Sequence, residues 1–513
     1  MCESTAAIMK KIKIFLFIVP LLYSNVICAQ YGTLDNTFGD EGKVITFFGQ
    51  YESEVHSLAI QPDGKIIAAG SVFDHGGYNQ FGLARYNANG TLDSTFGTDG
   101  IIISAFLENS LLNCMVLQTD GKIIAGGNVS GVYPNFQSLL VRYNSNGTID
   151  PTFGVAGKVI TNSNNISSLV LQPDGKIVCA GISFDGSDRD IQLIRYTKEG
   201  MLDAGFGIGG IVTTSIGDRD FGYSAALQTD GKIILSGATS SGSGFTTDYV
   251  IARYFESGIL DVGFGSNGIV MFDMEDSDVA RSVKIQKDEK IVFLGYSKLF
   301  RLMSDGNIDT GFGTNGIVTL PLGNEIQIQP DEKIVTVGTY ENSLGSSDIA
   351  LARYESSGDL DSTFGTGGIV TTSLGASSRS GANAVSMQTD GKIIVGGSVS
   401  EAFLSSHPHS VILRYNSGLL SNSEFDMQKK HFVAYPNPVN QVVNLDFNLN
   451  QSDELSIDLY DSNGRKVANL LKETAFESGK HSQKMELPGT LANGIYFLQI
   501  SNGINTTNIK IVK

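Results

Sequence analysis

The sequence predicts an all-β protein: a seven-bladed β-propeller followed by a small immunoglobulin-like β-sandwich. Three observations carry that expectation. The pentapeptide Gln-x-Asp-x-Lys recurs seven times, from Gln61–Lys65 to Gln388–Lys392. The hexapeptide [Leu/Ile]-Asp-x-x-Phe-Gly recurs seven times in step with it, from Leu34–Gly39 to Leu360–Gly365. Glycine supplies 60 of the 513 residues, and Asn-Gly or Asp-Gly pairs punctuate short Ile/Val-rich runs. Tight turns between short apolar runs make hairpins, and a hairpin unit repeated at this period makes a radial array.

One unit shows the elements in order. Val55–Ile60 alternates and leads into Gln61-Pro62-Asp63-Gly64, with Pro and Gly where a tight turn wants them. Lys65–Gly70 is a second strand, Phe81–Asn87 a third and Gly100–Ser104 a fourth, with a variable segment at Ser71–Gln80. The first hexapeptide and the strand Lys43–Phe47 precede the first unit, whereas the last third strand, Val411–Tyr415, has no fourth strand after it. The phase predicts that Lys43–Phe47 pairs beside Val411–Tyr415, completes the seventh blade and removes the open sheet edges.

The ends of the chain differ from this array. Lys10, Lys11 and Lys13 precede the apolar Ile14–Tyr23, and Ala29-Gln30 is the expected cleavage point, so residues 1–29 read as a signal peptide. Ile27 before Cys28 argues against lipidation. No later apolar run is long enough to span a membrane. Residues 30–416 form the propeller, 417–431 a polar linker and 432–513 a second β domain with alternating strands at Gln441–Phe447, Leu455–Tyr460 and Ile495–Ile500. The net charge of −17 disfavours nucleic acid as a partner and favours a soluble monomer. Cys114 and Cys179 sit at non-equivalent strand positions and read as small buried hydrophobes.

The repeated polar residues read as structural, because chemistry normally occurs once per chain. Arg85, Arg142, Arg195, Arg253, Arg301, Arg353 and Arg414 share one third-strand position, followed by Tyr everywhere except at Leu302. Each unit also carries a turn Asp, such as Asp63, and a hexapeptide Asp, such as Asp35. Guanidinium groups bridge carboxylates and carbonyls directionally, so cross-links within each blade are expected. The Asp-rich turns lack the ligand spacing of a calcium loop. His407 and His409, flanking Pro408, read as loop histidines. No catalytic residue, metal ligand or cofactor is expected, and no single-copy polar cluster stands out at the axis.

Recognition is expected in the loops that differ between units. Tyr78, Tyr133, Phe136, Phe245 and Phe403 are the candidate contacts, and the fifth unit nearly loses its loop at Gly295–Lys298. The expected function is a secreted or cell-surface, non-enzymatic binding or adhesion module for an extracellular protein or glycan. The alternative is an extracellular polysaccharide hydrolase or lyase. Absence of Trp weighs against quinone-dependent and sialidase-type propellers.

Three resemblances add to this. The Pro-Asp-Gly-Lys hairpin is similar to a step in WD-repeat propellers. The fuller pattern, roughly residues 34–416, resembles the delta-60 repeat family of β-propellers, which implies the fold and no defined activity. Residues 432–513 resemble the C-terminal sorting domain of type IX (Por) secretion cargo from Bacteroidetes. The motif residues are Pro436, Asn437, Pro438, Asp461, Gly464, Arg465, Gly494, Tyr496, Lys510 and Lys513. That resemblance implies a translocon and a sortase as partners, removal of the tail, and release or anchoring at the outer-membrane surface.

Overall fold

In the computed structural model, residues 31–513 are described except 49–51, 74–76, 107–108, 131–135, 163–164, 185–187, 241–245, 275–277, 321–322, 342–345, 376, 401–407, 419–431, 450–452, 462–464, 490, 493 and 503–505. Every regular element among the described residues is a strand. The first unit folds as Glu52–Ile60, Ile66–Phe73, Asn79–Tyr86 and Ile101–Ser104, each antiparallel to the next. Six such four-stranded units follow one another, and their first strands adjoin in a closed ring around the axis. The expected strands stand within a few residues of their places, and the inner strand starts earlier than its alternation indicated.

The ring closes through the N-terminal strand. Lys43–Thr46 pairs with the last third strand, Lys43 opposite Leu413 and Thr46 opposite Ser410. The segment before it completes the join: Gly32 donates to Asn416 O (2.7 Å), Asp35 to Arg414 O (2.8 Å) and Asn416 back to Thr33 O (2.9 Å). Phe38 and Phe48 then sink into the core between the seventh and first blades, beside Ile66, Ala68, Ile394 and Ile412. Burial of each such side chain contributes about 1.5–3 kcal/mol. The seam is therefore an ordinary inter-blade interface, built from the two ends of one chain.

Inter-blade cores are apolar. Cys114 and Cys179 lie unbridged in the one between blades two and three. Burial pushes both thiols far above their ordinary value, and Cys114 adds to the rise at Cys179. Thr–Tyr hydroxyl pairs stitch several of these interfaces, Thr161 to Tyr196 at 2.7 Å and Thr372 to Tyr415 at 2.7 Å. At the fourth junction, Phe272 and Leu302 occupy those two positions, and Phe293 and Phe300 stack there at 4.6 Å.

The tail forms two sheets, Val433–Tyr435/Val442–Leu449/Gly479–Glu486 and Lys466–Phe476/Asp453–Asp461/Ile495–Ser501/Thr506–Val512, over a shared core of Val443, Leu445, Leu459, Leu498 and Ile500. The strand Gly479–Glu486 escapes the sequence pattern because Met485 is its one buried hydrophobic residue.

Candidate functional site

The turns and hexapeptides gather on one face of the propeller, here the turn face. There the repeated charges satisfy one another. Arg85 Nε donates to Asp93 Oδ2 at 2.8 Å, and Nη2 to Thr95 Oγ1 at 3.1 Å. Its Nη1 donates to the carbonyl of Ser145, and the guanidinium lies 4.6 Å over the Phe96 ring. Lys65 Nζ closes on the same carboxylate at 2.8 Å. Ser145 belongs to the following blade. The arginine thus joins neighbouring blades as well as cross-linking its own, a correction to the purely intra-blade link the sequence implied. The arrangement recurs with Arg142–Asp150, Arg195–Asp203, Arg253–Asp261, Arg301–Asp309 and Arg353–Asp361. In the seventh, Arg414 meets Asp35 from the other end of the chain, at 2.7 Å. The fourth lysine departs, with Lys232 on its own turn Asp230 at 2.6 Å.

Asp35, Asp93, Asp150, Asp203, Asp309 and Asp361 are held ionised. Burial pushes Asp35 up, yet the Lys392 ammonium, two hydrogen bonds from Thr37 and the Arg414 charge outweigh it and hold its pKa at about 2. Asp63 is an exposed turn residue whose Oδ1 accepts the Lys65 N–H at 3.2 Å. An axial cavity of about 760 Å³ opens at the turn face between blades four and seven. Its lysines are engaged, Lys284 with Glu325 at 3.1 Å and Lys287 with Glu332 at 3.5 Å.

The loop face is built differently. Each long inner strand carries a β-bulge, at His56, Asn113, Ser167, Tyr223 and Asn383. The same column in blades five and six holds Arg281 and Asn324. Bulges re-aim side chains; five of the column's seven residues reach the rim of the axis through one, and Arg281 and Asn324 stand at the matching position without one. Asn113, Asn324 and Asn383 reach across to the next inner strand, donating to Ile166 O (2.9 Å), Ala382 O (2.8 Å) and Val55 O (3.3 Å). A second-strand glycine accommodates each bulge: a Cβ at Gly181 would overlap the carbonyl of Asn165. The expectation of no single-copy polar cluster at the axis is overturned. The signal was readable five residues before each turn Gln, in a column that alternation alone does not single out.

Blades three to five add aromatic and cationic groups beside that column. Arg189 and Arg219 are bridge partners where the third strand of one blade touches the inner strand of the next. The Arg189 guanidinium lies 5.8 Å over Phe184 and 5.5 Å over Phe221, and Phe221 stacks on Tyr223 at 6.2 Å. Arg281 Nη1 donates to Asn324 Oδ1 at 3.3 Å, and its guanidinium lies 5.5 Å from the Tyr296 ring. Tyr296 sits in the two-residue hairpin left by the missing fifth loop, where Gly295 donates to Lys298 O. Burial pushes the Tyr223 hydroxyl above its ordinary pKa, and the Arg281 and Arg189 charges pull it partly back.

Of the loop aromatics expected to bind, Tyr78 is exposed, just before the strand it leads into. Tyr133, Phe245 and Phe403 lie outside the described residues, as do Ala29, Gln30 and His407, and Phe136 opens a strand whose first side chain is likewise outside them. His409 packs on Phe47 at 4.4 Å. Among the described residues no group of His, Cys, Asp and Glu is placed to hold a metal.

Asn437, Gly494 and the Tyr496 backbone meet the C-terminal strand, whereas Asp461 and Arg465 pair with each other. Asn437 Nδ2 donates to Lys510 O at 3.1 Å, and its Oδ1 accepts from Val512 N at 2.9 Å; Pro436 and Pro438 flank it. Gly494 and Lys513 exchange both backbone bonds at 2.9 Å. Tyr496 donates to Ala492 O at 3.0 Å. Asp461 accepts from Arg465 N and Nε at 2.9 and 3.1 Å, while Gly464 between them lies outside the described residues.

Comparison with known proteins gives two family matches. A domain of unknown function described as the DUF5122 beta-propeller matches residues 61–96, 118–153, 172–206, 228–264, 286–312, 329–364 and 388–418. A secretion system C-terminal sorting domain matches residues 433–513. No curated protein matches. Among solved structures, the polysaccharide lyase Uly1 aligns at 10% identity over 77% of this chain and 94% of its own, with TM-score 0.42. A PL25 ulvan lyase aligns at 11% identity over 78% and 98%, with TM-score 0.33. A protein of unknown function from Bacteroides caccae aligns at 13% identity over 52% and 86%, with TM-score 0.31.

Proposed function

From a chain that carries seven DUF5122 β-propeller repeats and a type IX sorting domain, we propose an exported, non-enzymatic binding module that holds an extracellular ligand on the loop face. The sorting domain marks the chain for the cell surface or the medium, with the translocon and its sortase as export partners. One observation carries the binding reading: the repeated charges are consumed inside the turn face, whereas the single-copy polar and aromatic residues collect on the other. Rigid scaffolds that vary their loops put recognition there, and Tyr78, Tyr133, Phe136, Phe245 and Phe403 are assigned to that contact. Retention on an array of extracellular proteins and polysaccharides tests it. Arg195→Ala lowers the melting temperature and leaves retention unchanged. Loss of retention at unchanged melting temperature overturns the assignment of faces.

The axial column favours one second reading, a polysaccharide hydrolase or lyase. Burial pushes the His56 imidazole below its ordinary pKa, with Glu54 opposing, so it is neutral and able to accept a proton at neutral pH. Against this, the described axial carboxylates do not converge: Glu54 lies 3.9 Å from His56, and Glu325 is held by Lys284. New reducing or unsaturated chain ends after incubation with polysaccharides decide for the enzyme.

A further inference from the structure

We propose that Arg189, Arg281 and the rings of Phe221, Tyr223 and Tyr296 form a binding platform for an anionic polysaccharide, contacted through its carboxylate or sulfate groups. The inference rests on the loop-face reading and names its ligand. Arg189, Arg219 and Arg281 are exposed, and none of the three is ion-paired among the described residues. This is unusual in a chain whose net charge is −17 and whose seven repeated arginines all meet a carboxylate. Two of the nearby acids accept from backbone N–H groups. Asp220 is buried and accepts from Ile216 N (2.6 Å), Gly217 N (3.1 Å) and Thr239, and Asp188 accepts from Arg189 N (2.8 Å).

The shape of the group selects the ligand. A guanidinium fork binds carboxylate or sulfate through paired N–H donors. An aromatic face accepts the C–H face of a pyranose, and its polar tip stays wet. The two kinds of group are interleaved from blade three to blade five instead of lining a closed pocket. The low hairpin at Tyr296 leaves the side of blade five open to an extended chain. A polymer that alternates flat rings with charges meets both features, and a neutral glycan would leave the arginines without partners.

Binding of the purified protein to polygalacturonate, dextran sulfate, neutral dextran and poly-L-glutamate tests this, by affinity electrophoresis at two salt concentrations. Retention by either anionic polysaccharide, with dextran and polyglutamate excluded, is the expected result. Polygalacturonate alone identifies the carboxylate, dextran sulfate alone the sulfate, and both identify charge with a sugar backbone. Arg189→Ala and Arg281→Ala each weaken binding about tenfold, and Tyr296→Ala weakens it at unchanged salt dependence. Lys287→Ala, which removes the same charge from the turn face, changes binding less than about twofold. Arg281→Lys keeps the charge and loses the fork, so it falls between. Equal retention by polyglutamate, no retention by either polysaccharide, or variants that bind as the parent does at unchanged melting temperature overturns the proposal. Should both polysaccharides fail while Arg281→Ala still abolishes retention of another array ligand, the ligand class is wrong and the loop-face reading stands.

Discussion

The two faces of the propeller are made from the same blades and obey opposite rules. On the turn face, equivalent positions hold equivalent residues, and each arginine finds its aspartate between 2.7 and 2.9 Å. On the loop face, one column around the axis holds His56, Asn113, Ser167, Tyr223, Arg281, Asn324 and Asn383. Repetition suits the first because a blade-to-blade joint must be made the same way each time the ring turns. It does not suit the second, where nothing in the fold requires the side chains to match. Buried charge on the turn face is tied to partners, and removing one partner leaves the other stranded. Charge on the loop face is solvated, and its removal should touch binding and leave folding alone.

The largest test of that contrast removes the part of the turn face that crosses the seam. Deleting residues 31–47 takes away the outer strand of blade seven, Phe38 and the Asp35 partner of Arg414 and Lys392. Loss of a single cooperative unfolding transition is expected, read by differential scanning calorimetry. A melting temperature within a few degrees of the parent would show that the ring is closed by other means. Next in size is Asp361→Ala. Its carboxylate accepts from Arg353 Nε (2.7 Å), Lys333 Nζ (2.7 Å) and Thr363 Oγ1 (2.6 Å) while nearly inaccessible. Urea denaturation should register a loss of about 3–5 kcal/mol, the scale for breaking a buried pair, against about 0.5 kcal/mol or less for Arg281→Ala on the loop face. Comparable losses at the two sites would erase the distinction.

Acid sharpens the same contrast at the level of the whole face. Asp35, Asp93, Asp150, Asp203, Asp309 and Asp361 are depressed in the folded state, Asp35 to about 2, and unfolded aspartate titrates near 3.9. A depressed carboxylate contributes stability that is complete above the unfolded value and drains as pH falls through the folded one. Stability should therefore be level from neutrality to about pH 5 and fall steeply between about pH 4 and 2. A profile that declines already between pH 7 and 5 would point to histidine instead, and His56 is the group to examine.

Much of this was legible in the sequence, for physical reasons. Turn chemistry and alternation are local, so Gln61–Gly64 and Ile66–Phe73 announce themselves. The phase of the repeat then dictates that Lys43–Thr46 must close the ring, a long-range contact read from a count. What escaped was whatever depends on departures from period two. A bulge inserts one residue and re-aims the side chain, so Tyr223 and Asn383 look like ordinary members of an alternating strand. The inter-blade reach of Arg85 to Ser145 escaped too, because it depends on how blades stack and leaves no trace in spacing. Gly479–Glu486 was invisible because a mostly exposed strand has little hydrophobic pattern to show.

The smallest effect lies where the turn face breaks its own rule. Five of its turns place Gly at the left-handed position, such as Gly175 at φ +85°, but blades five and six place Glu289 and Glu332 there, at φ +66° and +67°. A non-glycine residue in that conformation costs about 1–2 kcal/mol. Glu289 offsets this by reaching to the preceding turn, where its carboxylate accepts from Gln228 Nε2 (3.3 Å), Thr229 N (3.4 Å) and the Thr229 hydroxyl. Two of these bonds are long and none is buried, so each contributes at the low end of about 0.5–1.5 kcal/mol. Glu289→Gly exchanges the strain for the bonds, and the greater freedom of an unfolded glycine takes back part of the gain. The variant should therefore melt within a few degrees of the parent. Glu289→Ala loses the bonds and keeps the strain, and should fall below Glu289→Gly by about 1 kcal/mol. If alanine proves as stable as glycine, the left-handed backbone is not what the two glutamates work against, and their bonds to the neighbouring turn are a net gain to the ring.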